Sequence, residues 1–210
     1  IHPGQPGAPD PTEPQRVAQA AQTLELRHVV VTSVTRDDLA DGGSAQFAAV
    51  IEALRHALPQ STVEVLIPDF QGRGDALRTV MDAKPHIINH NVETHPALYA
   101  QVRPQADYTQ SLELLRRVND SGMTAKSGLM VGLGETDEQV REVLADLHTA
   151  GCSIVTIGQY LPPTRQHHRL DRYVTPEQFD AYAAYGKSLG LKHVFSGPLV
   201  RSSYHAASFA

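Results

Sequence analysis

Five short runs rich in β-branched residues alternate with helical patterns along this chain, and that alternation restricts the fold more than any other feature of the sequence. The runs are Arg27 to Ser33, Thr62 to Pro68, His86 to His90, Thr124 to Gly132 and Ser153 to Tyr160, and each reads as a buried strand. Between them apolar side chains return at helical spacing, at Phe47, Val50, Ile51 and Leu54 and again at Val140, Val143, Leu144 and Leu147. Thr136 with Gln139, and Thr175 with Pro176 and Gln178, have the spacing of a capping box. Gly122 and Gly151 stand where a helix stops in a left-handed residue. Strand, helix and strand in repetition mean parallel strands with crossover helices. A doubly wound sheet and a (β/α) barrel, whole or partial, both satisfy that pattern. In either, the chemistry gathers at the carboxyl ends of the strands.

Residues 1–210 read as one domain, opened by an extended lead-in over 1–14 whose prolines oppose helix. The chain carries 18 Lys and Arg against 23 Asp and Glu, a formal charge of −5, so its surface is not one that coats a polyanion. No apolar run approaches the roughly 18 residues that span a bilayer. Neither a nucleic acid nor a membrane is therefore expected as a partner. The single Cys152 excludes a disulfide within the chain and any thiolate-only metal or iron–sulfur site built from this chain alone. The first residue is Ile1 rather than Met, the mark expected of a chain that was processed, cut or incompletely sequenced.

The loops after the strands are crowded with polar side chains. After the first come Arg36, Asp37, Asp38 and Asp41 ahead of Gly42 and Gly43, which serve either a ligand or merely the entry to a helix at Ser44. Around the third lie His86, Asn89, His90, Asn91, Glu93 and His95. No pair there shows the helical His-x-x-x-His spacing with an accompanying Glu that marks a zinc site, so a loop that hydrogen-bonds a small ligand or closes a turn is the better reading. The fourth runs into "GLMVGLGE", where glycines let backbone approach a ligand and Glu135 opens the next helix, although the spacing is not that of a phosphate loop. The fifth leads to a loop with Arg165, Arg169 and Arg172, suited to a carboxylate or a partner surface. The closing "VFSGPLVRSSYHA" would ordinarily be a frayed tail. No Ser/His/Asp order stands out, so nucleophilic hydrolysis has no support.

Laid in order, "VVVTSVTRDDLADGGS", "NHNVETHPALYAQVRPQADYTQSLELL", "TAKSGLMVGLGE", "GQYLPPT", "RYVTPEQF" and "GPLVRSSYHA" resemble the lipoyl synthase family of radical S-adenosylmethionine enzymes. The resemblance covers nearly all of the chain. It implies a partial (β/α)6 TIM-type barrel, here lacking its first strand, and two [4Fe-4S] clusters whose cysteine motifs are absent, as expected of a chain missing its N-terminal portion. The implied activity is radical insertion of two sulfur atoms at C6 and C8 of a protein-bound octanoyl group, with S-adenosylmethionine as cofactor. The implied partners are octanoylated lipoyl domains or the glycine cleavage H protein, and an electron donor such as ferredoxin or flavodoxin. The compartment would be the cytoplasm in a bacterium or the mitochondrial matrix in a eukaryote.

Carried onto this sequence, the resemblance makes Ser203, in the C-terminal segment 197–210, a ligand of the second cluster, and Arg201 its neighbour that shields it. Gly128, Met130, Gly132 and Glu135 match a G-x-I-x-G-x-x-E pattern that lines the adenine and ribose of the cofactor, with Met for Ile. Asn91 and Glu93 become ribose or substrate contacts, Lys126 a partner for a carboxylate, and Asp37 a reader of the cofactor's amino group. Without clusters the chain would be expected to be inactive. The alternatives are a cluster-free module that binds S-adenosylmethionine or an octanoylated lipoyl domain, and a metal-dependent barrel hydrolase using His90 and Glu93.

Overall fold

A computed structural model of the chain describes residues 6–203. Its strands follow sequence order, β1-β2-β3-β4-β5-β6, the order expected of successive β/α units. The chain packs as two compact units, one of residues up to Ile87 and one from Ile88 onward.

In the first unit α1 (Glu13–Thr23) leads to β1 (His28–Thr32), α2 (Ser44–Ala57), β2 (Thr62–Leu66) and α3 (Gly74–Asp82). β1 and β2 pair in parallel from His28 opposite Thr62 to Thr32 opposite Leu66. α2 buries the predicted stripe of Phe47, Val50, Ile51 and Leu54, and it packs against α1, α3 and β2. The extended lead-in over 1–14 needs correcting at its end, because α1 begins at Glu13 with Pro14 in its first turn. Proline is tolerated there since the first helical N–H groups have no intrahelical acceptor. Ahead of it Asp10 accepts hydrogen bonds from the amide and hydroxyl of Thr12.

The second unit holds all but the first residue of β3 (Ile87–Asn89), then α4 (Tyr99–Val102), α5 (Tyr108–Asp120), β4 (Thr124–Val131), α6 (Asp137–Thr149), β5 (Ile154–Gln159), α7 (Pro176–Leu189) and β6 (His193–Gly197). β4 and β5 pair in parallel from Lys126 opposite Ile154 to Val131 opposite Gln159, and β5 pairs in parallel with β6. The segment expected to fray therefore contains a strand. Of the five residues of β6 only Val194 is buried, so neither alternation nor a continuous apolar run announces it.

The capping box at α6 is complete. The Gln139 amide donates to Thr136 Oγ1 at 3.2 Å and the Thr136 amide to Gln139 Oε1 at 3.0 Å. At α7 only half of it forms: Thr175 Oγ1 accepts from the Gln178 amide, while the Gln178 side-chain nitrogen is buried with no partner among the described residues. Gly122 and Gly151 take positive φ just beyond α5 and α6, as their positions predict.

Candidate functional site

Two turns at the carboxyl ends of the neighbouring strands β3 and β4 carry Asn91, Glu93, Gly132 and Glu135 of the predicted site. Beyond β3 the chain runs through Asn91, Val92 and Glu93 while staying bonded to β4. The Glu93 amide donates to the Gly128 carbonyl at 3.0 Å, and the Met130 amide donates to the Glu93 carbonyl at 2.8 Å. Glu93 itself sits at φ 65°, a left-handed conformation that costs a non-glycine residue about 1–3 kcal/mol and persists where the surroundings enforce it. Tyr99 and Arg103, one helical turn apart, supply that enforcement. The Tyr99 hydroxyl donates to the Val92 carbonyl at 2.6 Å. Arg103 Nη1 donates to the carbonyls of Asn91 and Val92, each at 3.2 Å, and its guanidinium lies over the Tyr99 ring.

The side chains of this turn are under-satisfied. Asn91 Nδ2 donates to Glu93 Oε1 at 3.1 Å, but Asn91 Oδ1 and Thr94 Oγ1 are buried without a partner among the described residues. Burial pushes the Glu93 carboxyl up, against the opposing pull of the Asn91 hydrogen bond and the Arg103 charge. Unmatched buried acceptors are costly in the free chain and favour a ligand that brings donors. Hydroxyl and amino groups of a nucleoside fit that demand.

The glycine-rich turn after β4 is the opposite case. Glu135, 4% exposed, accepts from the Gly132 amide at 2.7 Å on one oxygen and from the Leu133 amide at 2.9 Å on the other. Its carboxylate thus holds the turn closed. Gly132 has φ 95°, and a Cβ there would lie 2.3 Å from Gln159 Nε2 and 2.5 Å from the Arg172 carbonyl oxygen. The protein's own atoms fill that space. Gln159 Nε2 donates to the carbonyls of Val131, Tyr160 and Arg172, and Gln159 Oε1 accepts from the Val174 amide. Arg172 in turn meets Asp137 at 2.7 Å, so the carboxylate it was expected to find belongs to its own chain. A Cβ on Gly128 would meet Thr156 Oγ1 at 2.6 Å and Asn91 Oδ1 at 2.9 Å, which places Gly128 beneath the Asn91 amide.

The remaining candidates are dispersed. Lys126, fully buried, donates from Nζ to the Ser202 carbonyl at 2.6 Å. Arg201 folds onto its own segment, donating to the Val200 carbonyl at 2.6 Å, and Ser203 is exposed. The rest of the terminal motif, from Tyr204, lies outside the described residues. Asp37 is exposed on the loop after β1. In that loop Asp41 accepts from the Gly43 and Ala45 amides and Arg36 pairs with Asp38, the helix-entry role.

The three histidines around β3 each meet a different partner. His90 Nε2 meets Ser111 Oγ at 3.0 Å, His95 meets Glu142, and His86 Nδ1 accepts from the Val63 amide. No cluster of three metal-ligating side chains exists among the described residues. Cys152 is buried and its thiol is pushed up to about 12 by desolvation, which keeps it protonated and unsuited to iron. The described residues therefore fit a nucleoside-bearing cofactor, and to an iron–sulfur cluster they offer no thiolate set, only single non-cysteine ligands such as Ser203.

Sequence reasoning missed Tyr99, Arg103, Gln159 and Thr156, and it left Arg172 without a partner. The spacing of Tyr99 and Arg103 on one helical face was the only local signal; Gln159 acts across strands and loops.

The sequence profile of the radical SAM superfamily matches residues 2–147. The chain is 67% identical over 208 residues to the lipoyl synthase of Nitratidesulfovibrio vulgaris Hildenborough, covering 99% of this chain and 70% of that protein. It is 62% identical over 209 residues to that of Oleidesulfovibrio alaskensis, covering 100% and 72%. Among solved structures, Streptococcus suis SuiB bound to S-adenosylmethionine superposes with a TM-score of 0.70 at 11% identity, over 98% of this chain and 48% of that one. That last likeness establishes the fold, the partial TIM-type architecture of radical SAM proteins. No helix among the described residues is long and apolar enough to cross a membrane.

Proposed function

The chain belongs to the lipoyl synthase family of the radical SAM superfamily, and on that premise we propose what its parts do. The activity of the full-length enzyme is that of a lipoyl synthase, which requires S-adenosylmethionine and iron–sulfur chemistry. We propose that the reaction inserts two sulfur atoms at C6 and C8 of an octanoyl group carried on a lipoyl domain or a glycine cleavage H protein, with ferredoxin or flavodoxin as reductant. Two [4Fe-4S] clusters would take part, and with one cysteine in the chain their thiolates are not supplied here. When bound, the cofactor and clusters supply the hydrogen-abstracting group, the electron and the sulfur.

This chain's residues bind, orient and exclude water. Asn91 and Glu93 take the donors of S-adenosylmethionine, its ribose hydroxyls first, and the strained backbone at Glu93 fixes where their oxygens point. Tyr99 and Arg103 hold that turn from behind. The closed glycine turn forms a rigid wall beside it, and Ser203 is the cluster ligand of the terminal segment. Such a site works by holding a reactive group against an unactivated carbon, so orientation outweighs acid–base chemistry. The relatives are bacterial, which supports a cytoplasmic setting.

The observation that carries this reading is the buried Asn91 Oδ1 beside Glu93, unmatched among the described residues. Titrating S-adenosylmethionine into the cluster-loaded complete enzyme tests it. Asn91→Ala should weaken binding about tenfold, the size of about 1.4 kcal/mol, with little change in melting temperature. Undiminished affinity would remove the turn from the cofactor site.

A further inference from the structure

The strongest unassigned feature is a lysine with no exposed surface joined to the far end of the chain. Lys126 lies in β4 and Ser202 is 76 residues later, yet the Lys126 ammonium donates to the Ser202 carbonyl at 2.6 Å. A buried ammonium is expensive to desolvate and is retained where its hydrogen bonds hold something in place. The next strand gives a second, independent sign of the same docking. A Cβ on Gly158 of β5 would lie 2.2 Å from the Val200 carbonyl oxygen and 3.0 Å from Arg201 Nη1. Only a glycine lets the terminal backbone come down on the strand at that point.

The path of the segment agrees with both contacts. After β6 the chain turns back, with the Val200 amide bonded to the Gly197 carbonyl at 3.1 Å and the Gln159 amide to the Pro198 carbonyl at 3.4 Å. Val200 is buried, whereas Leu199, Arg201 and Ser203 are exposed. At Val200 and Arg201 the segment lies against Gly158 of β5 outside the strand ladder, and at Ser202 a long side chain from the neighbouring strand reaches its carbonyl.

We infer that Lys126 and the bare Gly158 form a latch that holds the terminal segment over the β4–β5 pair, which makes Lys126 a positioning residue for Ser203 and not a contact of the cofactor. The inference rests on the proposed role of Ser203. It gives Ser203 a fixed place through contacts made at Val200 and Ser202.

Trypsin reports the latch directly, because Arg201 is exposed and cleavage there needs the segment to lift. In the complete protein, Lys126→Met should speed cleavage after Arg201 at least tenfold, with cleavage elsewhere and the melting temperature little changed. Lys126→Arg, which keeps a donor, should recover part of the protection, and Gly158→Ala should lose it by a different route. In the cluster-loaded enzyme, Lys126→Met should cut sulfur insertion at least tenfold while cleavage of S-adenosylmethionine persists, following Ser203→Ala.

Wild-type protection at Arg201 in both Lys126→Met and Gly158→Ala would overturn the latch, as would faster cleavage at every site together with a large fall in melting temperature. If Ser203→Ala keeps full sulfur insertion while Lys126→Met exposes Arg201, the latch stands and the role given to Ser203 fails.

Discussion

The turns that follow β3 and β4 treat their polar groups in opposite ways. After β4, each oxygen of Glu135 has a backbone donor and Gln159 bridges the surrounding carbonyls. After β3, Asn91 Oδ1 and Thr94 Oγ1 are buried and unmatched among the described residues, next to a carboxyl that burial holds in its neutral form more strongly than usual. Both turns are rich in functional-looking residues, so residue type alone does not distinguish scaffold from site. The state of the hydrogen bonds does. A saturated turn has nothing left to offer a ligand except shape, while an unsaturated one has free energy to gain from it.

The largest test of this contrast is Gly132→Ala. A methyl group there meets the Gln159 amide and the Arg172 carbonyl at φ 95°, so overpacking and strain together should cost about 3–5 kcal/mol. Urea unfolding should show that loss, with affinity for S-adenosylmethionine falling only as folded protein is lost. A stable variant that no longer binds would move the glycine turn from scaffold to site.

A smaller loss is expected for Glu135→Gln. The amide nitrogen replaces one acceptor opposite a backbone N–H, and an unsatisfied buried donor costs about 1–3 kcal/mol. The same unfolding measurement checks it; unchanged stability with weakened binding would give Glu135 back to the cofactor.

Glu93→Gln should act in the other direction. The wild-type carboxyl is raised by burial, so the folded state holds its proton more tightly than the unfolded chain does. Its contribution to stability is present below the ordinary carboxyl range and is lost as pH rises through the folded value. Glutamine should flatten that part of the stability–pH curve and leave stability at neutral pH equal or higher, while binding of S-adenosylmethionine weakens about tenfold. A variant that loses stability at neutral pH would mean that the ionised carboxylate serves the fold.

The parallel α/β order was legible because buried strands are written as β-branched runs, and the Thr136 capping box because it is local. α1 was hidden behind prolines that turned out to precede and start it, and β6 by having one buried side chain in five. The site divided along the same line. Asn91 and Glu93 stand beside a strand end and were found by position, and the pattern through Gly128 and Glu135 was found by resemblance. What the carboxylate of Glu135 does was not visible, because its partners are backbone amides, which every residue but proline carries. Arg103, Gln159 and the contact of Lys126 with Ser202 depend on how the chain folds back on itself, and spacing along the sequence carries no record of that.

Cys152 lies in the connection between α6 and β5 with its thiol held protonated by burial. Reagents that attack thiolates reach it only when that connection opens, so its labelling rate measures local opening of the second unit. Where other cysteines are present to hold clusters, the same protection subtracts Cys152 from any native thiol titration. The one sulfhydryl of this chain acts as a timer of its breathing and stays silent in the accounting of iron and sulfide.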